Sequence, residues 1–267
     1  MSIEPARISV VSFDADGTLW DFQKVMRHSL GLCTIELRRL VPACAGLLTL
    51  ETMIAVRNRV AEELRGKETN LEKIRLAAFK RTLQHIGVSD DALAAHLNAL
   101  YLKHRFEDIR LFGDVLPTLD ALQGPYALGL VSNGNSYPER CGLEGRFQFV
   151  VFSQDYGVEK PDPRLFEIAV EQAGCSRQEF LHVGDSLQND VAGANRAGVR
   201  SVWLNRDRKR SDSDIQAEFE ITSLTAWVDI CKPFVVSEGQ NYIHKISPQS
   251  AFYKESRNPG EDCDGLA

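Results

Sequence analysis

Asp14 and Asp16, one residue apart and followed by Gly17 and Thr18, stand directly after the apolar run Ile8 to Phe13. Three further polar clusters come later in the chain: Ser132-Asn133-Gly134, then Lys160-Pro161, then Gly184-Asp185-Ser186 with Asp190. Taken singly, each fits a turn, a helix cap or a surface loop. Taken together, they follow apolar strands in order, or fall in an adjacent loop, and they carry complementary charges. Asp14 and Asp185 offer hard oxygen ligands for a Mg²⁺ ion, with a backbone carbonyl near Asp16 as a third protein ligand. Ser132, the backbone amide of Asn133 and Lys160 offer donors for a phosphoryl group. Lys160 also offsets the repulsion among carboxylates that would otherwise raise one another's pKa. Asp14 is then placed to attack phosphorus, and an aspartyl-phosphate would split hydrolysis into two easier steps. Asp16 could protonate the leaving oxygen and later activate water.

These residues need a scaffold that brings strand ends together. Ile8 to Phe13 reads as a buried strand. From Lys24 to about Asp108 no convincing strand occurs, and four helices fit, at about 24–40, 50–65, 71–86 and 90–107. Thr49, Asn70 and Ser89 are the expected caps, and Gly66 and Gly87 the stops. Leu71, Ile74, Ala78, Leu83 and Ile86 trace an apolar stripe at helical period. After Leu111 the rhythm alternates. Helices are expected at 115–123, 163–173 and 188–197, and strands at 126–131, 147–152, 180–183 and 199–204. That alternation predicts a mostly parallel sheet covered on both faces, whose first strand precedes the helical insertion. Open α/β sheets bind ligands at the carboxyl edge, where these clusters fall. His182 lies inside a strand and reads as a satisfied core or edge histidine.

The chain has 267 residues, 43% hydrophobic and 25% charged, within the range of globular proteins and long enough for a core plus a smaller inserted domain. The net charge of −6 gives no global positive field, so a nucleic-acid polymer is not the expected partner. The basic stretch from Asn205 to Arg210 reads as a solvated loop. Six cysteines show no metal-ligand spacing and are expected as free thiols in a reducing compartment. No apolar run is long enough for a membrane span or a signal segment, so a cytoplasmic protein with no membrane partner is expected. Residues 233–267 read as a C-terminal extension, partly packed through Phe234 to Val236 and Tyr242-Ile243, and mobile over the last dozen residues.

With these motifs in place, the sequence resembles the haloacid-dehalogenase-like hydrolase superfamily, in its phosphatase branch with a helical cap. Phe13-Asp14-Ala15-Asp16-Gly17-Thr18-Leu19 looks like the first motif and Ser132-Asn133-Gly134 the second. Lys160-Pro161-Asp162-Pro163 with Phe166 looks like the third, and Gly184 through Asp190 the fourth. The similarity covers about residues 8–205 and is weak through the cap. It implies a three-layer Rossmann-like parallel-sheet core, 1–20 and 110–232, with an inserted α-helical cap, 21–109. It implies roles as well. Asp14 matches the nucleophile and a Mg²⁺ ligand. Asp16 matches the general acid/base and gives its carbonyl to the metal. Ser132 and Lys160 match the phosphate and intermediate stabilisers, with Asn133 beside them as a phosphate binder through its amide, and Asp185 matches a metal ligand. Asp190 either stands near the metal, through a bound water or as a ligand, or orients Lys160. Thr18 supports the nucleophile loop, and Leu19 to Phe22 match the flap below the cap.

Dehalogenases of this superfamily lack the second acid of the first motif, so Asp16 favours phosphate esters over carbon–halogen bonds. The expected activity is Mg²⁺-dependent hydrolysis of a small phosphorylated metabolite. A phosphomutase and a non-catalytic binding protein of the same fold are the alternatives. The cap should close over the site and exclude water. Trp20 and Phe22 either stack on a substrate ring or pack cap against core. Lys24, Arg27, His28, Arg57, Arg65 and Lys67 are cap cations that could meet an acidic leaving group. A monomer and a homodimer remain equally open.

Overall fold

The computed structural model describes residues 8–211 and 213–231. The expected C-terminal extension, 233–267, lies outside the described residues. The chain opens with strand β1 (Val10–Phe13), buried along its whole length. Four helices follow: α1 (Phe22–Leu40), α2 (Leu50–Leu64), α3 (Leu71–His85) and α4 (Asp91–Glu107). Then come α5 (Val115–Leu122), β2 (Ala127–Ser132), β3 (Phe149–Phe152), the short α6 (Ser153–Tyr156), α7 (Pro163–Ala173) and β4 (Phe180–Gly184). A π-type turn (Leu187–Val191) leads into α8 (Ala192–Arg196), followed by β5 (Arg200–Leu204), β6 (Phe219–Ile221) and α9 (Leu224–Cys231).

The six strands form one sheet in the order β3-β2-β1-β4-β5-β6, with every pairing parallel. Side chains alternate across β1. Val11 and Phe13 join the core under α5 and α9, with Val115, Leu119, Leu224 and Trp227. Val10 faces the opposite core under α7 and α8, with Leu165, Phe166, Ala169 and Ala194. Burial on both faces is why these strands read as near-continuous apolar runs rather than alternating ones. The expected α/β class with a parallel sheet and an inserted helical segment is the observed one.

The insertion has its own core, built from Met26, Leu30, Leu37, Met53, Phe79, Leu83 and Leu97. Its helices start where side chains satisfy the first orphan amides. Asp21 accepts from the amide of Lys24 at 2.9 Å, so α1 begins two residues earlier than the apolar pattern suggested. Thr49 and Asn70 cap α2 and α3 as expected. The fourth cap is Asp90, bonded to the amide of Leu93 at 2.9 Å, and not Ser89. The insertion joins the sheet through two adjacent segments, with Trp20 paired to Leu111 as an isolated bridge and the amide of Phe112 donating to the carbonyl of Leu19.

Other expectations are revised. The helix expected at 188–197 is a π-type turn plus one short helix, and β6 and α9 were not foreseen. The basic stretch is not wholly solvated. Asn205 is buried, and the Arg206 guanidinium donates to both carboxylate oxygens of Asp114, at 2.8 and 3.0 Å, and to the Thr18 carbonyl at 2.9 Å. Cys33, Cys44, Cys141 and Cys175 are free thiols. Among the described residues no helix is long and apolar enough to cross a membrane.

Candidate active site

β1 is flanked by β2 and β4 in register, with Phe13 opposite Leu130 on one side and Val183 on the other. The next residue, Asp14, therefore leaves the sheet between the carboxyl ends of its two neighbours. Its amide donates to the Val183 carbonyl at 2.9 Å, and its side chain is buried. Asp14, Asp16, Ser132, Asn133, Lys160, Asp185 and Asp190 all line one cleft of about 430 Å³ between the sheet edge and the insertion. The structure thus brings together every site residue expected from the sequence.

Lys160 is the hub of the floor. Its Nζ donates to Asp14 Oδ1 at 2.6 Å, to Asp190 Oδ1 at 2.6 Å and to the Val131 carbonyl at 2.8 Å. Burial alone would lower the lysine's pKa, but the two carboxylates outweigh it and hold the amine protonated. Burial alone would raise that of Asp190, but the Lys160 ammonium and a hydrogen bond from His182 keep it well below the usual carboxylate range. Asp14 moves the other way. Burial raises it beyond what Lys160 can offset, and the Asp190 and Asp185 carboxylates add to the rise.

Asp190 reaches this position because the π-type turn folds it back over the strand end. Its Oδ2 accepts from the Ser186 amide at 2.9 Å. His182, fully buried on β4, lies 3.3 Å from Asp190 Oδ1 through Nε2 and 2.8 Å from Ser12 Oγ through Nδ1. Burial lowers its pKa, which fits a neutral ring that donates from Nε2 and accepts from the Ser12 hydroxyl. His182 is therefore a satisfied core residue that fixes Asp190.

Asp16 holds a separate post. Its Oδ1 accepts from Trp20 Nε1 at 2.8 Å, which ties the flap to the first motif and leaves Trp20 buried in the core rather than open to a ligand. Phe22, in contrast, lines the cleft.

The carboxylate oxygens of Asp14, Asp185 and Asp190 lie within 4.8 Å of one another. Among the described residues the Thr18 hydroxyl reaches the Asp185 carboxylate at 3.5 Å, a long hydrogen bond. Protein crowded around its carboxyl and then the Asp190 carboxylate push it up to about 6. Gly17, at φ +95°, leaves the space this requires: a Cβ there would stand 2.6 Å from Asp185 Oδ2. Hard oxygens, a weakly bonded carboxylate and residual repulsion fit a small divalent cation such as Mg²⁺. Asp14 and Asp185 have oxygens to give it, whereas both oxygens of Asp190 are engaged by protein donors.

Of the six cap cations, Arg57 and Arg65 line the cleft. Arg27 pairs with Glu51 at 3.0 Å, His28 with Asp108 at 3.3 Å, Lys67 donates to the Glu63 carbonyl and Lys24 is exposed. The sequence reading missed Arg75, Tyr101, Arg105 and Asn135, which also line the cleft. A signal was present. Arg75 stands four residues after Leu71 and three before Ala78, and Arg105 four after Tyr101, so both interrupt apolar stripes.

Comparison with known proteins shows what the chain as a whole is similar to. Residues 8–198 match the family model of haloacid dehalogenase-like hydrolases. A glyceraldehyde 3-phosphate phosphatase of Methanopyrus kandleri is 30% identical over 84% of this chain and 97% of its own length. A 2-haloacid dehalogenase from Pseudomonas syringae superposes with a TM-score of 0.74 at 29% identity, covering 85% of this chain and 99% of that one. The magnesium-bound HAD-hydrolase YfnB from Bacillus subtilis superposes at 0.66 and 26%, covering 85% and 100%.

Proposed function

The chain belongs to the haloacid dehalogenase-like hydrolase family, and from that premise we propose that it is a Mg²⁺-dependent phosphomonoesterase acting on a small phosphorylated metabolite. The observation that carries the reading is the contact of Lys160 with Asp14 at 2.6 Å, beside Asp16 in a cleft that the insertion lines as a cap.

Asp14 attacks phosphorus through one carboxylate oxygen while the other would face the metal, and the Lys160 ammonium on Oδ1 balances the charge. As the phosphorus–oxygen ester bond breaks, Asp16 gives its proton to the leaving oxygen. The product is an aspartyl-phosphate on Asp14. Asp16, now ionised, takes a proton from water, which attacks phosphorus, breaks the acyl-phosphate bond and releases inorganic phosphate. Ser132 and the Asn133 amide hold the phosphoryl oxygens at the end of β2, and Lys160 balances charge throughout. Asp14, Asp185 and the Asp16 carbonyl would hold Mg²⁺, which supplies charge neutralisation between the carboxylates and the phosphoryl group. Asp190 keeps Lys160 in place.

Asp16 supports ester hydrolysis over dehalogenation, because carbon–halogen cleavage needs no proton delivered to a leaving oxygen. The test is phosphate release from a generic aryl phosphate. Turnover with Mg²⁺, loss on chelation and no turnover by Asp14→Asn are expected. Activity in Asp14→Asn equal to the native chain would overturn the reading.

A further inference from the structure

The cap wall of the cleft carries three arginines, Arg57, Arg75 and Arg105, whose hydrogen bonds among the described residues all go to neutral oxygens. Arg105 is 4% exposed and gives its terminal nitrogens to neutral partners, Asn135 Oδ1 at 3.0 Å and Ser136 Oγ at 2.8 Å. Its nearest carboxylate oxygen, Asp16 Oδ2, stands 3.8 Å from Nη2, beyond hydrogen-bond distance. Arg75 reaches the same Asn135 oxygen at 3.4 Å and the Leu71 carbonyl at 3.2 Å, while its Nη1 is buried with no partner. Arg57 donates to the Asn58 amide oxygen at 2.8 Å and stands 5.7 Å from the centre of the Phe22 ring. Among the described residues no carboxylate lies within ion-pair distance of Arg57 or Arg75. The carboxylate on this wall, Glu68, is already engaged by the Asn70 amide at 2.9 Å and by Lys73 at 3.4 Å.

Two guanidinium groups that share one amide oxygen repel each other, and buried cations are ordinarily paired. Burial and then Arg105 push Arg75 down to about 10, so it still carries its charge at neutral pH. We infer that this wall is a subsite for a second anionic group on the substrate, a carboxylate or a second phosphate, held by Arg75, Arg105 and Arg57. The inference rests on the phosphomonoesterase reading. Planar forked donors match either oxyanion. Arg105 lies beside the carboxylate that protonates the leaving oxygen, so the second anion belongs within a few bonds of the ester. The substrate class is then a short phosphorylated hydroxy acid or bisphosphate, and not a neutral sugar or nucleoside ester.

Steady-state kinetics of the full chain with Mg²⁺ test this on matched pairs: 3-phosphoglycerate against glycerol 3-phosphate, and 2-phosphoglycolate against ethyl phosphate. The native chain should favour the acid by at least tenfold in kcat/KM, and Arg75→Gln should bring that ratio close to one while Arg75→Lys, which keeps the charge and loses the fork, falls between the two. A bisphosphate of equal length is the second arm and identifies which anion the subsite takes. If Arg75→Gln does not fold, Arg57→Gln is read in the same way. A native ratio near one, or a ratio unmoved by these variants, overturns the subsite while leaving the hydrolase reading intact. Absence of turnover on every ester overturns the hydrolase reading instead. The subsite is then judged by calorimetric titration of Asp14→Asn, where tenfold tighter binding of the acid supports it and equal binding rejects it.

Discussion

The side-chain amide of Asn133 grips the backbone of Lys160 at both ends: Oδ1 accepts from the Lys160 amide at 2.7 Å, and Nδ2 donates to the Lys160 carbonyl at 2.9 Å. This reciprocal pair fixes a loop residue to the end of β2. It aims the ammonium at Asp14 and Asp190 without help from any strand of its own. A loop held in this way can serve as accurately as a strand end.

Removing that grip should loosen the lysine and leave the fold standing. Asn133→Ala is expected to lower kcat by about 10 to 100-fold, the range for a displaced charge stabiliser. Thermal unfolding should shift by only a few degrees. Unchanged kcat would show that Lys160 is positioned by its carboxylate contacts alone.

Gly17 touches both backbone and metal site. Gly17→Ala places a Cβ 2.6 Å from Asp185 Oδ2 at a φ of +95°. Asp185 must then move away from Asp14. The expected outcome is a Mg²⁺ affinity at least about tenfold weaker, with a stability loss on the order of 1 kcal/mol from the strained φ. Calorimetric Mg²⁺ titration reads the first and urea unfolding the second. Native Mg²⁺ affinity in the variant would remove Asp185 from the metal site.

Asp114 supplies the pH dependence. It accepts from Arg206, the Ser223 hydroxyl and the Leu224 amide. Burial raises its pKa, but these donors outweigh it and hold the group below the ordinary 3.8. A depressed folded-state pKa contributes stability that is present above 3.8 and lost as pH falls through the lower folded value. Asp114→Asn should therefore cost about 2 kcal/mol at neutral pH, as for charge-assisted bonds. It should also flatten the loss of stability below about pH 4. Unfolding curves at pH 7, 4 and 3 check both, and parallel profiles for the two chains would reject the assignment.

Gly129 on β2 lies beneath the Phe149 ring of β3, where a Cβ would collide with the ring. Gly129→Ala should destabilise by about 1 to 3 kcal/mol through overpacking. Phe149→Leu in the same chain should restore part of it, because the two effects share one volume. Additive losses in the double variant would argue against direct contact.

The residues alone determined the chemistry and the class of fold. Asp14, Ser132 and Asp185 sit where apolar strands stop, and strand ends are legible because both faces of such strands are buried. The helical insertion was legible for a different reason: Thr49 and Asn70 announce helix starts by the bonds they make locally. Other features were decided only in three dimensions. Asp90 displaced Ser89 as a cap through a one-residue choice that propensity does not resolve. β6 is three residues long and gains its strand character from pairing with β5, not from its own pattern. Arg206 looked like one more cation in a basic loop until folding set it against Asp114 and Thr18. Arg75 and Arg105 lie 30 residues apart on different helices, and only the packing of α3 against α4 brings them to one oxygen of Asn135. Local sequence specifies what a side chain can do, whereas the unpaired charge it meets across a cleft is a property of long-range packing.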